Sequence, residues 1–251
     1  KNIERNLAKK STKIIALSEI QKKELSEIHN ICSPKKIEVI PLGFDLEKFK
    51  TNKDTKRKEF RNKWNLNDNE IAIGIIGRLV TIKNHKFFID SIQQILTKSN
   101  MPIRAFIVGD GEEKDNLFKY LKLKNLDYSK DSNRATFQFT SWIKEIDEVN
   151  AGMDIICLCS LNEGTPVSLI EAQASGKPIV ATKTGGIENI VIENKSALLS
   201  EKNDLSSFSN NLLTLINNPV KREYLSKHGE VKSKEFHYSN LINNIKKLYK
   251  I

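Results

Sequence analysis

Ile71-Ala72-Ile73-Gly74-Ile75-Ile76-Gly77 runs seven residues without a charge or a hydroxyl and closes on a glycine. A half-exposed strand would alternate polar and apolar residues, and an amphipathic helix would show a polar face. A short, continuous apolar run predicts a strand buried on both faces. Phe88, Ile92, Ile95 and Leu96 follow at helical spacing. The alternation then repeats. A strand over Ile103–Val108 ends at Gly109-Asp110-Gly111, and a charged helix carries Leu117, Leu121 and Leu123. Residues 136–139 predict a third strand and 143–150 a short helix. Strands are predicted over 154–159, 178–181 and 196–199. Residues 204–217 are amphipathic, with Leu205, Phe208, Leu212, Leu215 and Ile216 on one face. Buried strands alternating with helices define an α/β fold: a Rossmann-like parallel sheet with helices on both faces.

The flanks read differently. Within residues 1–45 a helical start precedes a strand at 13–17, a helix at 19–28 and a strand at 37–40, closed by the turn Pro41-Leu42-Gly43-Phe44-Asp45. Residues 46–69 are polar, with a helix expected around Phe60 and Trp64. Residues 219–251 suggest two helices broken near His228-Gly229, where glycine weakens helix. The expected division is 1–45, 46–220 and 221–251.

Composition narrows the classes. Of 251 residues, 39% are hydrophobic and 29% charged, as in a globular protein with a core. No apolar run approaches the ~20 residues of a membrane span, and no stretch reads as a secretory signal. Cys32, Cys157 and Cys159 fit no zinc spacing. Cys157 and Cys159 share a strand face and are expected in the core. A cytoplasmic location is expected. The 41 Lys and Arg exceed the 31 Asp and Glu by ten. The cations are dispersed along the chain, which argues against a nucleic-acid groove and leaves peripheral contact with an anionic membrane open.

Ligand sites in parallel sheets form at the carboxyl ends of the strands. Gly77-Arg78, Gly109-Asp110-Gly111, Ser141-Trp142 and Glu163-Gly164 end four different strands, so they are expected to meet at one rim. Across Glu163-Gly164-Thr165-Pro166-Val167-Ser168-Leu169-Ile170-Glu171, two carboxylates flank a loop entering a helix. Thr165 is placed to cap that helix, and Pro166 suits its first turn. Free amides at Val167, Ser168 and Leu169 would attract phosphate. Glu171 suits two adjacent ribose hydroxyls, and Glu163 a sugar. Arg78 and Lys83 are positioned to stabilise charge developing on a departing diphosphate. Taken singly, each of these residues also reads as an ordinary cap, surface acid or surface cation. Their convergence favours a nucleotide-sugar ligand.

Three groups of residues carry a resemblance: Gly77-Arg78 with Lys83, Val108-Gly109-Asp110-Gly111-Glu112, and Glu163-Gly164-Thr165-Pro166 with Glu171-Ala172. With Ala174-Ser175-Gly176-Lys177-Pro178-Ile179-Val180-Ala181-Thr182 and Gly185-Gly186, the order and spacing resemble the family 4 retaining glycosyltransferases of GT-B fold over about residues 37–220. The resemblance implies a metal-independent transferase with a nucleotide-diphospho-sugar donor, UDP being the expected nucleotide, and a glycan or lipid-linked acceptor. No further cofactor is implied. It implies that Arg78 and Lys83, beside Gly77, hold the diphosphate. Glu163 would contact the donor sugar and Glu171 the ribose. Gly164 to Leu169 would serve sugar and phosphates, and Trp142 and Ile143 would lie near the base. Asp110 falls within the donor-site motif. Ser141 stands where the family often has glycine. Such enzymes carry the acceptor site and a catalytic histidine on a first domain, of which this chain holds only the end. His29, His85, His228 and His237 are poor substitutes for that histidine, and His85 is expected on a helix capped by Asn84. The sequence therefore reads as the donor-binding part of a transferase. The composition, rich in Asn, Ile and Lys, suggests a bacterial source and a role in surface polysaccharide assembly. The alternatives are a nucleotide-sugar 2-epimerase-like enzyme of similar fold and a nucleotide-sugar-binding module without catalysis. A dinucleotide oxidoreductase fits less well, because Lys114 replaces the third glycine of the fingerprint.

Overall fold

The computed structural model describes residues 1–250 and divides into two compact units, 46–234 and 1–45 with 235–251. The first of these is built on a seven-stranded parallel sheet. Its strands are β3 (Ile71–Ile76), β4 (Ile103–Val108), β5 (Tyr128–Ser129), β6 (Phe137–Ser141), β7 (Ile155–Leu158), β8 (Ile179–Thr182) and β9 (Ala197–Ser200). The spatial order is β5-β6-β4-β3-β7-β8-β9. The opening stretch thus becomes β3, the central strand, paired with β4 from Ile71↔Ile103 to Ile76↔Val108. Every residue of β3 and β4 is buried, as a two-face strand requires. The order reverses direction between β3 and β7, which sets their carboxyl ends at a topological switch point.

Alternating side chains serve opposite faces of the sheet. Ile71, Ile73 and Ile75 join Ala105 and Ile107 in a core with α5 (His85–Leu96), α6 (Lys114–Leu123) and α10 (Leu205–Asn217). Phe106 turns the other way, and its ring meets Phe60 at 5.4 Å and Trp64 at 6.1 Å, at the end of α4 (Lys53–Lys63). Asp154, just before β7, accepts from the Ala72 amide at 2.8 Å and pairs with Arg57 at 2.7 Å and Arg61 at 3.4 Å. One carboxylate thereby joins α4 to the amino ends of two strands. Cys157 and Cys159 are buried as expected.

Several boundaries differ from expectation. The third strand runs to Ser141, and the helix after it, α7 (Ile146–Gly152), starts three residues late. β5 is a two-residue edge strand, too short for periodicity to reveal. The break expected near His228-Gly229 is absent: α11 (Pro219–Ser233) continues through both, and the interruption falls at Lys234–Phe236. Packing explains the glycine. A Cβ on Gly229 would approach Gln173 Cγ to 3.3 Å, so glycine allows α11 to lie close to α8 (Val167–Ala174). Because α11 packs on α8, it belongs with residues 46–234 rather than with the final helix.

In the other unit, β1 (Ile14–Ala16) and β2 (Ile37–Val39) pair in parallel. The intervening helix, α2 (Glu19–Lys23), runs into a π-helical turn at Glu24–Ile28. Phe44 exchanges backbone bonds with Phe236 and Tyr238, tying the turn at 41–45 to the start of α12 (Tyr238–Tyr249).

Candidate functional site

The loops after five strands are laced together by backbone hydrogen bonds. The Gly77 amide donates to Val108 O at 3.0 Å, and that of Leu79 to Asp110 O at 2.9 Å. The Gly109 amide donates to Ser141 O at 3.1 Å, joining β4 to the end of β6. On the other side, the Leu161 amide reaches Ile82 O at 2.8 Å, and the Gly186 amide reaches Glu163 O at 3.0 Å. The four predicted strand-end motifs therefore form one continuous rim. Gly186 is required there, since a Cβ would fall 1.6 Å from Gly164 O.

At the centre of the rim, Lys83 Nζ lies 2.5 Å from Glu163 Oε1. Ser160, fully buried, donates its hydroxyl to the same oxygen. The Ser160 carbonyl is itself held by Thr182 Oγ1 at 3.1 Å, so β8 steadies the support. Glu163 Oε2 has no hydrogen-bond partner among the described residues, although the side chain is only 10% exposed. One carboxylate oxygen is thus fixed while the other keeps its accepting capacity. The Arg78 side chain is exposed and makes no hydrogen bond or ion pair among the described residues. Ser160 was not anticipated as part of the site; its position three residues before Glu163 was the available signal.

The helix after Glu163 starts differently from expectation. Thr165 does not cap it. Pro166 occupies the N-cap, and no side chain bonds the first turn. The Leu169 amide is not free either, because it donates to Pro166 O at 3.1 Å. Proline fixes φ at −72° and lets its own carbonyl accept a tight-turn bond. The amides of Val167 and Ser168 remain without protein acceptors among the described residues. Gly164 is exposed, and open space surrounds the position a Cβ would take.

Glu171 lies on α8 near α7 and α3 (Glu47–Lys50). Burial raises its pKa to about 7; Lys48 counters the shift and Asp147 adds to it. Asp147 is engaged by Lys56 at 2.9 Å. Trp142 is 59% exposed directly after β6, and Ile143 is half-buried. Asp110 turns inward to its own loop, accepting from the Gly111 amide at 2.8 Å and Lys114 at 2.7 Å. His85 opens α5 after Asn84 as expected, but the asparagine side chain makes no cap bond. Burial, with Lys83 nearby, lowers the His85 pKa to about 4, so its imidazole is neutral at pH 7. Among the described residues no group of three or more His, Cys, Asp or Glu is placed to hold a metal ion, and no helix is long and apolar enough to cross a membrane.

Fold and rim together define a Rossmann-like domain with a cation–carboxylate centre beside unpaired helix-start amides. The chain belongs to the family Glycosyl transferases group 1, whose model matches residues 56–232. It is 32% identical over 217 residues to the UDP-Gal:alpha-D-GlcNAc-diphosphoundecaprenol alpha-1,3-galactosyltransferase of Escherichia coli, covering 85% of this chain and 53% of that protein. It is 26% identical to the D-inositol 3-phosphate glycosyltransferase of Corynebacterium urealyticum, covering 86% of this chain and 51% of that protein. The chain thus spans about half the length of these curated relatives. Among solved structures, Anabaena Alr3699/HepE in complex with UDP and glucose superposes with a TM-score of 0.85 at 22% identity, over 99% of this chain and 66% of that one. The resemblance read from the motifs is borne out for both family and fold.

Proposed function

We propose that this chain is the donor-binding part of a retaining, metal-independent glycosyltransferase. It would use a nucleotide-diphospho-sugar, with UDP as the nucleotide, and serve a glycan or lipid-linked acceptor in bacterial surface polysaccharide synthesis. Catalysis would be completed by an N-terminal domain preceding these residues. The observation that carries the reading is the Lys83–Glu163 pair, with Ser160 on the same carboxylate oxygen. In this reading, Lys83 and Arg78 offset the charge that builds on the diphosphate as the anomeric carbon–oxygen bond breaks. Glu163 Oε2 accepts from a sugar hydroxyl. The amides of Val167 and Ser168 meet phosphate or sugar oxygens, and Glu171 accepts from the ribose hydroxyls. Trp142 and Ile143 border the base. UDP complexes of Alr3699/HepE and the UDP-Gal donor named for the Escherichia coli relative favour UDP. The enzyme would work at the cytoplasmic face of the membrane, with its net charge of +10 favouring contact with anionic lipid.

Calorimetry with UDP, GDP and ADP in the presence of EDTA tests the donor site. UDP is expected to bind with the chelator present, more tightly than GDP or ADP. Silence with all three nucleotides would refute the assignment.

A further inference from the structure

Among the described residues, nine other than glycine have positive φ, and seven of them are asparagines. Asparagine tolerates the left-handed region because its short amide bonds locally. Of the other two, Lys250 follows α12, where helices commonly end left-handed. Ser141, at φ 56°, has neither excuse. It ends β6 beside a register shift at Ile107/Val108, immediately before exposed Trp142. A non-glycine residue persists in this conformation when its surroundings hold it there, and such positions cluster at functional sites.

What holds Ser141 is visible. Its carbonyl accepts from the Gly109 amide and from Thr140 Oγ1 at 3.0 Å. Its hydroxyl receives Lys114 Nζ at 2.9 Å, and the same ammonium reaches Asp110 Oδ2 at 2.7 Å. Lys114 is the first residue of α6, where the helix dipole disfavours a cation. Its placement gains nothing for the helix and is offset by Asp110 and the bond to β6. The Lys114 side chain is 28% exposed, and its ammonium bridges the loop after β4 to the end of β6.

We infer that Lys114 is a positioning residue: with Asp110, it latches Ser141 in its left-handed conformation and so fixes the Trp142–Ile143 loop against which a planar nucleotide base would rest. The inference rests on the donor-site reading above for the identity of that ligand. The latch itself is a property of the loop. It also separates two tasks in the rim, since Lys83 serves the phosphates while Lys114 serves the base through the chain.

The test is a double-mutant cycle read with two ligands. Lys114→Met is expected to weaken UDP binding about tenfold, about 1.4 kcal/mol, while affinity for inorganic diphosphate stays within twofold. Ser141→Gly, which has no strain to restrain, should bind UDP within about threefold of the parent. In that background Lys114→Met should have no further effect. Amide exchange, measured without nucleotide, should quicken at Gly109 and at residues 141–143 in Lys114→Met. An equal tenfold loss in both backgrounds would assign Lys114 to direct ligand contact and overturn the latch. Unchanged exchange in Lys114→Met would also overturn it. Failure of the parent protein to bind UDP refutes the donor reading instead, and the exchange measurement then decides the latch alone.

Discussion

Glu163 divides its carboxylate between two duties. Oε1 is held by Lys83 and Ser160, which leaves Oε2 with a defined direction and its full accepting capacity. In an enzyme carrying both domains, Glu163→Gln or Lys83→Ala is expected to reduce transfer by about 10²–10³-fold, the loss typical of a preorganised electrostatic group. Circular dichroism should be unchanged, and near-normal turnover by either variant would remove its assigned role. Ser160→Ala tests support rather than contact. Losing a hydrogen bond to a charged group costs about 1.5 kcal/mol, so kcat should fall about tenfold with donor KM nearly constant. Glu171 carries a different signature. Its pKa stands at about 7 against an ordinary 4.5, so between those values the folded protein holds a proton that the unfolded chain has released. Its contribution to stability is complete below pH 4.5 and is lost as pH rises through about 7. Ribose hydroxyls donating to the carboxylate favour its charged form. Nucleotide binding at pH 6–7 should therefore release protons, read as a binding enthalpy that varies with buffer ionisation heat. Glu171→Gln should abolish that variation, and its persistence would place the titrating group elsewhere.

At the scale of elements, the rim exists because loops interlock closely enough to exclude side chains. Gly186→Ala places a methyl against Gly164 O, and the loop after β7 must move to admit it. A cost of about 2 kcal/mol and a Tm lower by ~4–8 °C are expected, together with loss of nucleotide affinity. An unchanged melting curve would show that the loop yields freely. These contacts also mark where sequence reading succeeds and where it stops. β3, β4 and β7 were legible because burial on both faces leaves an uninterrupted apolar run, and the meeting of Glu163 with Lys83 because strand ends share an edge. The start of α8 was not, because Thr165 and Pro166 both suit a helix terminus and backbone geometry alone decides between them. The Gly229 reading failed for a related reason: a helix-weakening residue is retained where a neighbouring helix comes close. Ser160 and Lys114 went unread because a serine or lysine acquires a role only from its partner, and those partners come from tertiary contact.

At the scale of the molecule, every residue assigned to the donor site lies between 46 and 234, and so do both faces of the core that supports it. Gly77 is held through its amide, and Lys83 and Glu163 through their side chains, by contacts internal to that unit. The other unit carries β1, β2 and α12. Donor binding and sugar transfer should therefore separate physically. A chain comprising only 46–234 is expected to fold cooperatively and to bind UDP with a Kd within twofold of the 251-residue protein. Neither should transfer sugar at an appreciable rate, because the relatives carry about as much chain again. The comparison needs calorimetry on both chains and a radiolabelled-donor transfer assay on each. A folded 46–234 chain that failed to bind UDP while the longer protein bound it would place part of the site outside this unit. Efficient transfer by either chain would show that the acceptor chemistry needs no further domain.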